Sequence, residues 1–312
     1  MTKISIQMDP IQDIDILSDT TFDIAIEALK RGHELFYYEP KNLSYLHGSL
    51  VAEGQPIIEL KREINNHVKL GNKEKRKLIN EDVVLMRQDP PFDMGYITYT
   101  HLLESIHPNT LVVNNPYEVR NAPEKLYVNQ FKEFMPETII TRNIDDIKNF
   151  KKDFKKIIIK PLYGNGGKQI FYLDQDSKNL ISLLEMFFEN SNEPIIVQKY
   201  LPEVESGDCR IILIDGEIGG AINRVPQKGE IRSNLHVGGK AIKKKLTSKE
   251  LLICEALKNS LKTKGLVLVG IDIIGGYLTE INVTSPTCVQ EISKIENINL
   301  SSQIWNAIEN KI

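Results

Sequence analysis

Glu280 and Asn282 stand two residues apart in Asp272-Ile-Ile-Gly-Gly-Tyr-Leu-Thr-Glu280-Ile281-Asn282, a stretch that reads as a hairpin. Side chains two apart on a strand point to one face, so a carboxylate and an amide are presented together. Oxygen donors alone suit Mg2+, which takes a few carboxylates together with substrate phosphates; zinc would call for His and Cys. A surface hairpin with polar residues facing water has the same local pattern. A second feature raises the first above it. The apolar run Ile157-Ile158-Ile159 ends in Lys160, and Gly164-Asn165-Gly166-Gly167 follows at once. Glycines there let backbone N–H groups approach a phosphate closely, and an ammonium beside them can neutralise its charge. The spacing is neither that of a P-loop nor that of a dinucleotide-binding turn. Alone, the loop is as readily a plain hairpin turn.

Cations supply more of the pattern. Arg210 begins a strand after Gly207-Asp208, and Arg224 ends the next one before Val225-Pro226. Each alone is as easily a surface charge. From Pro226 to Lys240 the chain carries Gly229, Gly238 and Gly239 with Arg232, Asn234 and His236. That is too long and polar for a tight connection, and such loops often serve as lids. His236 is better suited to contact phosphate or solvent there than to act as a general base. Cys209, Cys254 and Cys288 are three in number, widely spaced and without a C-x-x-C pair, which excludes a disulfide framework and fits a reducing cytoplasm.

Three segments must position these residues. In the first, strands at 3–8, 35–38, 83–86 and 110–113 alternate with helices at 20–31 and 96–106, which argues a parallel sheet covered by helices. The polar stretch 65–80 reads as a solvated connection within it. The second segment, from about 122, holds a helix at 124–134, a charged helix from Asp145, the strand leading to Lys160, a strand at 169–173, a helix at 180–190 and a strand at 194–200. The third is mainly β: strands at 210–215, 217–224, 266–274 and 277–282, with helices at 249–264 and 300–311. The expected organisation is an α/β unit over 1–121, a lobe over 122–201 with the glycine-rich loop, and a lobe over 202–312 with the lid and metal face.

A chain of 312 residues with 41% hydrophobic and 26% charged residues is that of a soluble protein with more than one core. Net charge −3 gives no general attraction to nucleic acid or acidic membranes. No apolar run reaches bilayer-spanning length, and the N-terminus lacks a signal-peptide pattern.

The blocks Met8-Asp9-Pro10, Met86-Arg87-Gln88-Asp89-Pro90-Pro91-Phe92-Asp93, Asn223-Arg224-Val225-Pro226-Gln227 and Thr279-Glu280-Ile281-Asn282-Val283-Thr284-Ser285-Pro286-Thr287-Cys288 resemble those of the bacterial glutathione synthetases. The likeness covers essentially the whole chain in order. It implies an ATP-grasp fold, mixing α/β and α+β, in which an N-terminal parallel-sheet α/β domain precedes two lobes that hold ATP between them. It further implies that Lys125 and Lys160 contact ATP phosphates alongside Gly164, Gly166 and Gly167. Gln198, Lys199, Tyr200 and Leu201 would line the adenine, Asp208 would reach the ribose, and Gly238 and Gly239 would belong to the nucleotide-covering lid. Asp272, Glu280 and Asn282 match positions that hold Mg2+, with Mn2+ the alternative, and Arg210 and Arg224 match basic residues near the transferred phosphate. The glycine loop departs from the family's Asp-Gly-Met-Gly-Gly at Tyr163 and Asn165, and Gln88 and Lys240 stand where the family often has Lys and Arg.

The reaction so implied joins γ-glutamylcysteine to glycine through an acyl phosphate at the expense of ATP, with a homo-oligomer and no nucleic-acid or membrane partner. Another ATP-grasp amide ligase, of the D-alanine–D-alanine or glutamate-adding type, would share the metal residues but not the Met86–Asp93 block. A non-catalytic ATP-binding module would have damaged metal residues or lost cations. The metal set also makes a geometric demand. A two-residue Gly275-Gly276 turn would pair Asp272 with Thr279 and send Glu280 to the opposite face. A wider turn or bulge around 275–277 is therefore expected, and Glu280→Gln is expected to cut turnover far more than stability.

Overall fold

The computed structural model describes residues 1–164, 166–235 and 238–312. Asn165 and His236, singled out above, lie outside the described residues. The first sheet contains β1 (Lys3–Gln7), β2 (Glu34–Tyr38), β3 (Leu43–Leu46), β4 (Ser49–Leu60), β5 (Val68–Leu70), β6 (Glu74–Lys77), β7 (Val83–Met86) and β8 (Leu111–Val113). Its order is β3-β4-β2-β1-β7-β8. The β2-β1-β7-β8 run is parallel, as the strand–helix alternation predicts, with α1 (Thr20–Lys30) and α2 (Met94–Glu104) in its connections and α3 (Pro116–Asn121) following β8. β4 joins β2 antiparallel, and β3, β5 and β6 pair with β4.

The stretch 65–80 is thus not a solvated connection. It supplies β5, β6 and a 3-10 turn at Leu78–Asn80. The sequence Glu-Lys-Arg-Lys of β6 hid the strand, because a strand with mostly solvent-facing side chains needs no apolar alternation.

A four-stranded antiparallel sheet follows, ordered β11-β10-β12-β9: β9 (Thr138–Thr141), β10 (Ile157–Pro161), β11 (Phe171–Leu173) and β12 (Ile195–Lys199). The helices α4 (Ile144–Phe154) and α5 (Leu180–Asn190) lie within this segment. The third sheet, β15-β14-β13-β16-β17, is antiparallel throughout: β13 (Asp208–Ile214), β14 (Glu217–Val225), β15 (Lys240–Lys243), β16 (Leu268–Ile274) and β17 (Tyr277–Asn282). Its helices are α6 (Ser248–Thr263), α7 (Val289–Glu296) and α8 (Leu300–Glu309). The helix expected at 124–134 is instead a 3-10 segment, Tyr127–Phe134, broken at Phe131. Residues 124–126 form a turn before it, with the Leu126 and Tyr127 N–H groups donating to the Pro123 carbonyl, and the Ile281 N–H donates to the Glu124 carbonyl (3.0 Å), which holds residue 124 alongside β17.

The cores do not follow the sheets one to one. One cluster joins Tyr38, Met86 and Val112 of the first sheet to Ile211, Ile271 and Ile281 of the third. A second joins Ile4, Ile6 and Leu85 to Ile212, Leu268 and Trp305. The four-stranded sheet keeps a core of its own, made of Ile157, Ile159 and Val197 against Ile147 and Leu184.

Candidate active site

The second and third sheets, with the segments that follow β1 and β7, border a cleft of about 1150 Å3. Strand alternation decides what faces it. On β10, Ile157 and Ile159 enter the core of the four-stranded sheet, so Ile158 and Lys160 take the other face, with Gln198 opposite Ile158 on β12. On β13, Cys209, Ile211 and Leu213 enter the shared core, leaving Asp208 and Arg210 for the cleft. Cross-strand pairing adds Arg224 opposite Asp208 and Asp272 opposite Arg210.

These four charges form one buried network. Arg210 donates from Nε to Asp272 Oδ1 (2.6 Å) and from Nη2 to Oδ2 (2.8 Å). Arg224 Nη2 bonds Asp208 Oδ2 and lies 2.9 Å from Asp272 Oδ1. Two guanidinium groups thus balance two carboxylates, which matters because an uncompensated buried ion costs several kcal/mol, roughly. Gly270 leaves the room: a Cβ there would sit 2.9 Å from Arg210 Nη1. Burial pushes the Asp208 carboxyl up to about 6, with Arg224 resisting and Asp272 reinforcing the shift.

The β16–β17 hairpin meets the geometric demand in its own way. The turn is the tight two-residue one, with Gly275 and Gly276 at φ +58° and +76° and Ile274 paired to Tyr277. Positive φ at both positions suits a hairpin whose strands twist right-handedly, and glycine takes it without strain. The bulge lies farther along than the expected 275–277. Leu278 pairs with Ile273 and Glu280 with Asp272, so Thr279 is the extra residue. Its Oγ1 donates to the Asp272 carbonyl (3.1 Å), closing the irregularity. Leu278 and Ile281 can then both enter the core while Glu280 and Asn282 join Asp272 on the cleft side.

Glu280 sits among cations from elsewhere in the chain. Lys160 Nζ is 3.4 Å and Lys125 Nζ 3.8 Å from its Oε1. Lys125 also donates to Glu124 Oε1 (2.9 Å) and to the Gly164 carbonyl (2.5 Å). Burial opposes ionisation of Glu280, but the two ammonium groups outweigh it and hold the carboxyl well below its usual range. Burial and the neighbouring Glu280 push Glu124 up to about 7. For Lys125, burial is more than offset by Glu280 and Glu124, whereas Lys160 is lowered by burial.

Gly164, Gly166 and Gly167 border the cleft, as do Lys199, Tyr200 and Leu201. Gly238 and Gly239 do not. They form the closing turn of the 226–240 loop, where the Gly238 carbonyl accepts from Gln227 Nε2 (3.0 Å). Residues 231–235 of that loop border the cleft, and Ser233 Oγ donates to Asp208 Oδ2 (3.0 Å). Asp208 is therefore engaged by Arg224 and Ser233, with its Oδ1 unpartnered among the described residues. Sequence reasoning missed Glu124, since nothing in its spacing places it beside Glu280. It also passed over Arg87, buried in the cleft wall and bonded to Thr21 Oγ1 (3.0 Å) and the Pro286 carbonyl (3.2 Å). Cys288 borders the cleft, yet burial raises its thiol pKa, which does not suit a nucleophile.

Among the described residues no cluster of three or more His, Cys, Asp or Glu side chains is arranged for a metal. The donor set here is two carboxylates and the Asn282 amide, whose Nδ2 has no hydrogen-bond partner among the described residues. Two carboxylates and an amide carbonyl oxygen make an all-oxygen set, which fits a hard divalent cation; the Asn282 Nδ2, an N–H donor, takes no part in it.

The sequence profile of the prokaryotic glutathione synthetase N-terminal domain matches residues 2–120, and that of the prokaryotic glutathione synthetase ATP-grasp domain matches 124–297. The chain is 52% identical over 307 residues to the glutathione synthetase of Brucella melitensis, covering 98% of each. It is 52% identical over 309 residues to that of Mesorhizobium japonicum, covering 99% of this chain and 98% of the relative. Likeness extends to the glutathione synthetase of Shewanella oneidensis, 40% identical over 314 residues, 100% of this chain and 99% of the relative. Among solved structures, the ATP-grasp ligase PsnB complexed with minimal precursor superposes with a TM-score of 0.67 at 15% identity, covering 100% and 99% of the two chains. D-cycloserine synthetase DcsG gives 0.67 at 13% identity, covering 98% and 99%. At such identities these two structures speak for the fold alone, which is ATP-grasp.

Proposed function

The chain belongs to the prokaryotic glutathione synthetase family, an ATP-dependent ligase family, and from that premise we propose that it joins γ-glutamylcysteine to glycine, giving glutathione, ADP and phosphate. The observation that carries the proposal at the site is the convergence of Lys125, Lys160, Arg210 and Arg224 on one cleft with Asp272, Glu280 and Asn282.

A free carboxylate is a poor electrophile, so the cysteinyl carboxylate first attacks the γ-phosphorus of ATP. ADP departs and an acyl phosphate remains. Glycine's neutral amine then attacks the carbonyl carbon, phosphate leaves with the electron pair of its C–O bond, and the nitrogen gives up one proton, which the departing phosphate can take. Lys125 and Lys160 neutralise the ATP phosphates, and the N–H groups of the 164–167 loop cradle them. Arg210 and Arg224 stabilise charge spreading over the phosphoryl in flight. Ile158, Tyr200 and Leu201 give the base an apolar slot, and Asp208 is assigned to the ribose. The 226–240 loop keeps water from the acyl phosphate. Asp272, Glu280 and Asn282 would hold Mg2+, or Mn2+ in its place, which supplies further neutralisation of the β- and γ-phosphates. Among the described residues no helix is long and apolar enough to cross a membrane; cytoplasmic location and a homo-oligomeric state complete the reading.

The test is phosphate release from ATP with γ-glutamylcysteine and glycine together, each alone, and D-alanine alone. Release only with the first pair is expected. Equal turnover on D-alanine alone would sink the substrate assignment and leave the fold intact.

A further inference from the structure

Tyr163 immediately precedes Gly164, and nothing in the phosphate chemistry asks for an aromatic ring there. Its ring stacks on Phe92, with centroids 6.3 Å apart and planes 23° from parallel. That is an offset arrangement within the range in which aromatic pairs attract. Phe92 in turn packs on Tyr96 at 5.3 Å. Tyr96 is buried on α2, whose N-cap Asp93 follows Phe92 directly and accepts from the Tyr96 N–H at 2.9 Å. The stack therefore ends in the body that the first and third sheets build. The gap bordered by Pro90, Phe92, Leu162 and Tyr163 measures about 20 Å3, room for about one water. The loop itself leaves a lobe with a separate core, and this contact and the bond from Lys125 to the Gly164 carbonyl both tie its entry to the opposite body.

We propose that Tyr163 is a positioning residue, which by stacking on Phe92 sets the entry of the glycine-rich loop so that its N–H groups stand ready for nucleotide phosphate. The inference rests on the reading that this loop holds nucleotide. It acts through the loop backbone and needs the ring, not the hydroxyl.

The experiment is a calorimetric titration of the full chain with a non-hydrolysable ATP analogue and Mg2+, alongside the thermal midpoint of the ligand-free protein. Tyr163→Ala and Phe92→Ala should each weaken analogue binding by about two- to tenfold, the span expected for one aromatic pair. Tyr163→Phe should bind as the native chain does, and the double alanine variant should be no weaker than the weaker single one. Midpoints of the two single alanine variants should fall alike, by the little that one partly buried aromatic pair contributes. Native affinity in Tyr163→Ala, effects that multiply in the double variant, or binding as weak in Tyr163→Phe as in Tyr163→Ala would each overturn the proposal. A native chain that binds no analogue would remove the nucleotide reading itself, and the stack's role with it.

Discussion

Asp208 shows what burial does to a single carboxyl in this cleft. It holds its proton more tightly folded than unfolded, since its pKa rises from 3.8 to about 6. Its contribution to stability is therefore fullest below about pH 3.8 and is lost as the pH rises through about 6. Asp208→Asn cannot titrate, so thermal midpoints taken between about pH 4 and 7 should fall less steeply than those of the native chain. Parallel curves would refute the assignment. Glu280 combines two duties, because it is also the counter-ion of two buried lysines. The expectation that Glu280→Gln spares stability is amended accordingly. The ligand-free variant should lose about 1–3 kcal/mol in denaturant melts, and turnover should drop by about a hundredfold or more. Lys160→Ala should weaken ATP binding more than peptide binding in paired titrations, since it borders the same cleft as the loop that the proposed function gives to phosphate.

At the scale of elements, the β16–β17 hairpin fixes the metal face through one extra residue. Thr279→Val keeps the shape but removes the Oγ1 bond to the Asp272 carbonyl. It should lower stability by about 1 kcal/mol and raise the metal concentration needed for half-maximal turnover, whereas Thr279→Ser should preserve both. Equal metal dependence in all three proteins would show that the bulge holds without that bond. The hairpin also marks the limit of what was legible beforehand. Parity on β17 is local, so Glu280 and Asn282 could be put on one face, and the need for an irregularity followed from counting. Where the chain would place it could not be counted, because that depends on Leu278 and Ile281 both seeking the core. The same division runs elsewhere. The parallel strands were legible from apolar runs, and Lys160 from its place at a strand end. β6, rich in charge, and the Glu124–Glu280 contact depend on distant partners and left no local mark.

At the scale of the molecule, two bodies flank the cleft: the first and third sheets, merged through shared cores, and the four-stranded lobe with its own. Hydrogen exchange should accordingly find residues 138–199 opening as one unit, separately from β13 and β16, and nucleotide should slow exchange at 157–173. Uniform exchange across both bodies would contradict this division. The merging has a further consequence for how the protein is made. Trp305 of α8 donates its indole N–H to the Ile24 carbonyl of α1 at 2.8 Å, across 281 residues of sequence, and Arg31 adds an ion pair to Glu309 at 2.6 Å. At a ribosome's pace of about 5–20 residues per second, α1 waits some tens of seconds, roughly, for its cover. During that interval the apolar faces of Ile4, Ile6 and Ala25 have no permanent neighbour from the C-terminal part of the chain. The newborn N-terminal sheet is thus a natural client for a holding chaperone, and a ribosome stalled before residue 300 should display a nascent chain that such a chaperone captures and a full-length one that it releases.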